Sequence, residues 1–192
     1  GILADPHSTV RFDEDLAARI DRRVAEKGNE GRLLHGPDGG LVTATLAEKL
    51  LTPLLVKLTN LVPGGGIWMN TQRPEWNDAN NAIAGLGLSV VTTAYLHSAL
   101  EAWTRIFSSE PGALEMTAPV AELIEELRGI LSAAPPGDEL DPEGRLELTQ
   151  RLGRAGERHR AAIYSGRGAE PTRAVESPSI VDRKSTRLNS SH

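Results

Sequence analysis

Apolar residues recur at helical spacing along most of this chain, with polar residues between them. The first such segment runs from Arg11 to Glu26, with Asp13 as a candidate N-cap and Gly28 just beyond its end. The Gly- and Pro-rich residues 35–40 then mark a turn. This pattern predicts a surface helix followed by a turn.

The second apolar segment extends from Thr45 to Val62 and is rich in leucine on two adjacent stripes. Such a pattern is typical of a helix packed between neighbours. Pro53 either kinks this helix or begins a second one capped by Thr52. Pro63 to Gly66 should end it, and Ile67 to Asn70 is predicted to be a short extended segment.

A nearly uncharged segment follows, since no charged residue occurs between Asp78 and Glu101. We expect one helix from Asp78 to about Phe107, with Asp78 as its N-cap. Gly85 and Gly87 weaken helix propensity, which suggests close packing against another backbone. The helix is therefore predicted to be buried on most sides.

The second half of the chain continues the helical pattern. Ser108 to Pro119 is predicted to be a loop, and Val120 to Leu131 a helix with a continuous apolar stripe. Asp141 precedes Pro142, which predicts the start of a helix that reaches about Ser165, and Gly166 to Val181 is expected to be a frayed tail. With about five helices and no convincing strand alternation, the fold class is predicted to be all-α, built of helical hairpins.

Composition narrows the possible functions. A net charge of −5 without a Lys/Arg cluster argues against nucleic-acid binding. The absence of cysteine excludes disulfides and thiolate metal sites. His35, His97 and His159 are too far apart to suggest a metal site, and His97 on an apolar helix is expected to be a core residue. We expect no cofactor.

Neither a membrane-length apolar run nor a signal-peptide pattern is present, so a cytoplasmic location without membrane contact is expected. A signal on a missing N-terminus is left open, because the chain starts at Gly1 without Met. At the other end, residues 182–192 resemble the translated read-through of a sequencing adapter. We therefore expect residues 1–181 to be a fragment of a longer reading frame and 182–192 a non-native tail.

The side chains that could act in catalysis or ligand binding lie between Pro63 and Ala84. A carboxylic acid at Glu75 beside the indole of Trp76 should be partly desolvated, which raises its pKa. A raised pKa suits a general acid that protonates a glycosidic oxygen, and the indole face can stack on a sugar ring. Further candidate ligands for sugar hydroxyls are Asn77, Asp78, Asn80, Asn81, Gln72 and Arg73, of which Gln72 and Arg73 are also candidates for phosphate.

The run E-W-N-D-A-N-N at Glu75 to Asn81 resembles the D-W-N-D-x-x-N motif of cellobiose and chitobiose phosphorylases, and is similar to the E-N-V-D-N-N-A motif of maltose-type phosphorylases. Both families have a six-hairpin (α/α) toroid and cleave glycosidic bonds with inversion. The resemblance implies that Glu75 is the general acid, that Asp78 is a second carboxylate shaping the site, and that Trp76 and Asn77 contact sugar. It also implies that residues 1–181 are the C-terminal part of a toroid catalytic domain.

The sequence departs from both motifs. Glu75 replaces the aspartate of the first, and Trp76-Asn77 replaces the Asn-Val of the second. The substrate is therefore left as an oligo- or polysaccharide. A hydrolase needs a second carboxylate as base, whereas a phosphorylase uses inorganic phosphate as nucleophile, and no base partner for Glu75 is identifiable.

Alternative interpretations remain open. In a non-catalytic sugar-binding or scaffolding domain, Glu75 is a solvated loop residue, Asp78 only a cap, and Trp68 and Trp76 packing residues. An interaction module is a third possibility, suggested by the acidic stripe Glu122 to Glu126, although such stripes are normally solvated faces. A partial toroid is expected to leave inner faces such as Ile83 to Leu96 partly bare. The isolated chain should then be a poor enzyme alone and should aggregate or bind a hydrophobic dye.

Overall fold

A computed structural model describes residues 12–36, 38–70, 86–109, 112–136 and 139–176 of the chain. These residues form five α-helices: α1 (Glu14–Lys27), α2 (Leu46–Leu58), α3 (Val90–Ser109), α4 (Ala118–Ala133) and α5 (Pro142–Tyr164). They also form five short strands: β1 (Leu61–Val62), β2 (Gly66–Asn70), β3 (Leu86–Ser89), β4 (Ala113–Thr117) and β5 (Thr172–Glu176). The described chain is thus mainly helical, as predicted, but the expectation that it lacks strands is wrong.

Two helix starts follow directly from acidic residues in the sequence. The Asp13 carboxylate accepts a hydrogen bond of 2.8 Å from the backbone N–H of Leu16, at the start of α1. The Asp141 carboxylate likewise accepts one of 2.7 Å from Gly144 N–H, with Pro142 at the first position of α5. Each side chain satisfies a backbone donor that has no partner within its helix, and both predicted caps are confirmed.

The second helix is shorter than predicted. It begins after Thr45, whose hydroxyl accepts a hydrogen bond of 3.2 Å from Glu48 N–H, and it ends at Leu58. Pro53 lies inside this continuous helix, so the alternative of a second helix starting there is wrong. The hydroxyl of Thr52 donates 2.8 Å to the carbonyl of Glu48 and does not act as a cap.

A three-stranded antiparallel sheet follows α2, in the order β1-β2-β3. The turn between β1 and β2 places Pro63 and Gly64 at its centre and is closed by Gly65 N–H donating 3.0 Å to Val62 C=O. Gly64 has a φ of 76°, a conformation that favours glycine. The predicted extended segment before residue 71 is confirmed as β2.

The predicted helix from Asp78 to Phe107 is wrong for residues 86–89, and residues 78–85 of it lie outside the described residues. Residues Leu86–Ser89 form β3, and α3 begins only at Val90. The hydroxyl of Ser89 accepts a hydrogen bond of 3.0 Å from Thr92 N–H, so Ser89 and not Asp78 caps the helix that contains Phe107. Gly87 gives the segment poor helix propensity, and pairing with β2 supplies its backbone hydrogen bonds instead.

Helix α3 is also less buried than its composition predicts. Only Leu96 and Phe107 of this helix are buried, and the exposed fractions of Val90, Val91 and Tyr95 are 70%, 66% and 75%. The absence of charged residues from Val90 to Leu100 therefore does not indicate that the helix is buried on most sides. We expected the Ile83–Leu96 face to be partly bare. The exposure of its described residues agrees with that expectation.

Strands β4 and β5 occupy segments predicted to be loop and frayed tail. They pair antiparallel from Ala113↔Glu176 to Thr117↔Thr172. Each strand finds its hydrogen-bond partner in a distant part of the chain. The loop at Ser108 to Pro119 and the tail from Gly166 are both corrected by this pairing.

Helix α4 lies at the centre of the core. It packs against α5, α2 and the β4–β5 sheet. Its buried residues are Ala118, Pro119, Val120, Ala121, Leu123, Ile124, Leu127, Ile130 and Leu131. The apolar stripe predicted for this helix is confirmed, and its burial supplies the main hydrophobic contribution to this part of the fold.

A buried carboxylate joins α2 to the start of α4. Glu48 is only 5% exposed, and its Oε2 accepts a hydrogen bond of 3.0 Å from Thr117 N–H. The hydroxyl of Thr117 donates to the other oxygen, Oε1. Thr117 precedes α4 and makes no side-chain cap of its own, so Glu48 acts as the cap from another helix.

Candidate functional site

The residues predicted to carry the chemistry all belong to residues 71–85, which we call the motif segment. They are Glu75, Asp78, Trp76, Asn77, Asn80, Asn81, Gln72 and Arg73, and they lie outside the described residues. Their predicted roles in catalysis and substrate binding stay predictions. The described structure bears instead on the two strands that flank them.

Strands β2 and β3 bring the two ends of the motif segment together. The chain leaves β2 at Asn70 and re-enters β3 at Leu86, and these two residues are paired in the antiparallel register. Residues 71–85 therefore connect neighbouring positions at one end of a sheet. Connections supported in this way by regular structure are common positions for binding and catalytic groups.

The hydroxyl group of Thr93 in α3 bonds to both strands that flank the motif segment. Thr93 Oγ1 accepts a hydrogen bond of 3.0 Å from Ile67 N–H of β2 and donates one of 2.8 Å to Ser89 C=O. A Cβ on Gly66 would lie 3.1 Å from both Ser89 O and Thr93 Oγ1, so the close approach depends on glycine. Ile67 is fully buried beneath this contact.

Trp68 lies on β2 opposite Leu88 and is half-buried, which agrees with its interpretation as a packing residue. Its Nε1 is buried and has no hydrogen-bond partner within the described residues. Leaving a buried donor unpaired costs about 1–3 kcal/mol. An acceptor brought to this atom would therefore stabilise the sheet next to the motif segment.

The acidic stripe on α4 takes part in ion pairs. Arg167 lies 2.7 Å from Glu122 Oε1 and 2.7 Å from Glu170 Oε1, and Arg173 lies 3.3 Å from Glu122. Hydrogen bonds donated by Arg167 hold the pKa of both Glu122 and Glu170 below their ordinary value, and the two carboxylates raise the pKa of Arg167. These carboxylates are stabilised in their charged form, which does not suit a general acid.

A concave feature of the surface lies between α4 and α5. This opening of about 490 Å³, which we call the arginine groove, is lined by Glu126, Gly129, Ile130, Arg151, Arg154 and Arg158. The sequence analysis did not identify it. The signal available was the spacing of the three arginines along α5, at i, i+3 and i+7, which places them on one side of a helix.

All three histidines considered as metal ligands have contacts of other kinds, and His35 Nδ1 lies 2.9 Å from the carbonyl oxygen of Leu33. His97 is half-exposed and lies 3.9 Å from Glu101 Oε2, so the expectation that it is a core residue is wrong. His159 Nδ1 lies 3.1 Å from the carbonyl oxygen of Pro119. Over the described ranges, His, Asp and Glu side chains form no group of three or more that could hold a metal ion.

No helix within the described parts of the chain combines the length and apolarity needed to cross a membrane. Comparison with models of known protein families finds no match, and comparison with curated proteins finds none either. The functional argument therefore depends on the residues of the chain itself.

Proposed function

We propose that this protein cleaves glycosidic bonds by general-acid catalysis, with Glu75 as the acid, in a helical toroid of the six-hairpin type. The observation that supports this most is the E-W-N-D-A-N-N run, located in a connection whose two ends are paired in the β2–β3 sheet. Such a connection presents polar groups while the strands hold its ends in place.

In this proposal, the indole of Trp76 displaces water from Glu75 and keeps the acid protonated at neutral pH. Glu75 then protonates the oxygen of the departing sugar, and Asp78 shapes the site as a second carboxylate. Trp76, Asn77, Asn80 and Asn81 bind the sugar, with Gln72 and Arg73 available for hydroxyls or phosphate. The substrate is an oligo- or polysaccharide.

The test is made in the full-length reading frame, because the isolated chain is expected to be a poor enzyme, and it compares Glu75→Gln with the unaltered protein on two kinds of glycoside. For a sugar leaving group, which needs protonation, turnover should fall about 10²–10⁴-fold. For a dinitrophenyl leaving group, which departs without a proton, turnover should be largely retained. Glu147→Gln, which removes an exposed acid on α5, is the matched control and should leave both rates unchanged.

Unchanged turnover of both substrates in Glu75→Gln would show that Glu75 is not the acid. If the unaltered protein binds sugars without turning them over, the non-catalytic sugar-binding domain is the correct interpretation. Repeating the assay with and without inorganic phosphate separates the two reactions, because only a phosphorylase releases a sugar phosphate. A hydrolase proceeds equally well without phosphate.

A further inference from the structure

We propose that the arginine groove between α4 and α5 binds a small organic anion carrying two negative charges, through Arg151 and Arg154. The residues that line this site belong to α4 and α5 and have no role in the proposed function, on which this proposal does not depend. The opening of about 490 Å³ falls within the range of about 300–1,000 Å³ typical of small-molecule sites. Three guanidinium groups and one carboxylate line it.

The charges in the groove are unequally matched. Arg158 donates hydrogen bonds to both carboxylate oxygens of Glu126. The charge of Glu126 neutralises that of Arg158, and the two hydrogen bonds hold the guanidinium group in place. Arg151 and Arg154 have no carboxylate partner within the described residues. Two positive charges are thus left unneutralised in one concavity of a chain whose net charge is −5.

Guanidinium groups recognise carboxylate and phosphate oxygens through paired, charge-assisted hydrogen bonds. Arg151 and Arg154 are three residues apart on α5, so their side chains are neighbours on the helix surface. A ligand with two negative charges matches both at once. This chemistry is shared by phosphate monoesters and dicarboxylates.

The groove leaves room beside Gly129 for the organic part of such a ligand. Gly129 lies inside α4, and a Cβ built on it would meet nothing within 4 Å. Glycine in a helix interior lowers stability by about 0.5–1 kcal/mol relative to alanine. At position 129 the missing side chain leaves the adjacent space open. Ile130 adds an apolar surface beside it.

The experiment titrates the isotope-labelled protein with glycerol 3-phosphate in one arm and malonate in the other, at constant ionic strength, with sodium chloride as reference. Saturable shifts of the Arg151 and Arg154 Nε–H signals are expected in at least one arm. The double variant Arg151→Gln/Arg154→Gln should weaken binding at least about tenfold. Arg105→Gln, which removes an exposed arginine on α3 that does not line the groove, should leave the affinity unchanged.

Gly129→Leu provides a second variant that retains every charge, is compatible with a helix and adds a bulky side chain to the lining of the groove. It should weaken binding to a similar extent. Binding only by glycerol 3-phosphate or only by malonate identifies which source of the anion the site selects, and either result supports the proposal. The proposal is overturned if chloride reproduces the shifts, if neither anion saturates, or if the double variant or Gly129→Leu binds as tightly as the unaltered chain.

Discussion

Two glycines of helix α5 show how strongly the consequence of a residue depends on its neighbours. Gly156 faces Thr59, and a Cβ at this position would lie 2.6 Å from Thr59 Oγ1 and 3.0 Å from Thr59 Cβ. Thr59 is 5% exposed and its hydroxyl donates to Val56 C=O, so it has little freedom to move. At Gly153, one turn earlier, a Cβ would meet nothing within 4 Å.

We therefore expect opposite effects from the same substitution. Gly156→Ala should lower the free energy of unfolding by about 1–3 kcal/mol, because the added methyl group overpacks the contact with Thr59. Gly153→Ala should raise it by about 0.5–1 kcal/mol, because alanine is the better helix former and the space is open. Urea denaturation of the two variants measures both values. Equal changes in the two variants would contradict the close approach of α5 to Thr59.

Among the elements, the segment after α5 is held to α4 by charge. Arg167 in the 3-10 turn Arg167–Ala169 pairs with Glu122 of α4 and with Glu170 beside β5. Because Arg167 donates hydrogen bonds to them, both carboxylates have a pKa below 4.5, the ordinary value. They bind protons less readily in the folded chain than in the unfolded one, so acid favours unfolding.

The contribution of this cluster to stability should be fully present above pH 4.5, the unfolded value, and lost as the pH falls through the lower folded values. Arg167→Gln is thus expected to lower the urea midpoint at neutral pH and to match the unaltered protein once both glutamates are protonated. The effect should be small and reduced by salt, since the pairs are partly exposed. Arg105→Gln is the control. A difference that persists unchanged in strong acid would mean that Arg167 stabilises by packing alone.

Elements whose signals are local were predictable from the sequence, and those that depend on distant partners were not. Asp13 and Asp141 cap the helices that begin next to them, and the α4 stripe is complete within one segment. By contrast, β4 has its hydrogen-bond partners in β5, which no local pattern reveals. Glu48 also looks like an ordinary first-turn acid in the sequence, although it is buried by contact with Thr117.

The candidate site divides along the same line. Its residue types and spacing are local, so the motif could be recognised from the sequence and remains a prediction. The sheet that joins its two ends could not be recognised, because β2 and β3 are separated by residues 71–85 in the chain and the apolar residues around Gly87 also fit a helical pattern. The lack of charged residues from Val90 to Leu100, in the first half of α3, was also misleading, because burial depends on what packs against Val91 and Tyr95 and not on their apolarity.

At the scale of the whole molecule, apolar side chains are exposed at the start of α3. Val90, Val91 and Tyr95 are each more than half exposed, and Leu88 of the preceding strand is 36% exposed. Large apolar groups that cluster on a surface promote association and bind apolar molecules. The expectation of dye binding therefore has a specific location.

We expect the protein to increase the fluorescence of a hydrophobic dye and to self-associate with rising concentration. The double variant Val91→Ser/Tyr95→Ser should reduce both effects several-fold, because it removes two of the three apolar side chains at the start of α3 that are more than half exposed. Leu146→Ser, at a side chain on α5 that is 48% exposed, is the matched control and should change little. A sharp, reversible melt of a monomer without dye binding would count against this expectation.

The bond between Glu48 and Thr117 joins residues 69 apart in sequence, and this separation has a direction during synthesis. Glu48 leaves the ribosome well before Thr117. The carboxylate that accepts hydrogen bonds at the start of α4 is therefore already available when α4 emerges. For strand β4 the order is reversed: it is made before its partner β5, which is the last element of the described chain to be synthesised. Until then the backbone N–H and C=O groups of β4 that face β5 have no strand partner, so β4 is open to pairing with a wrong strand during that interval.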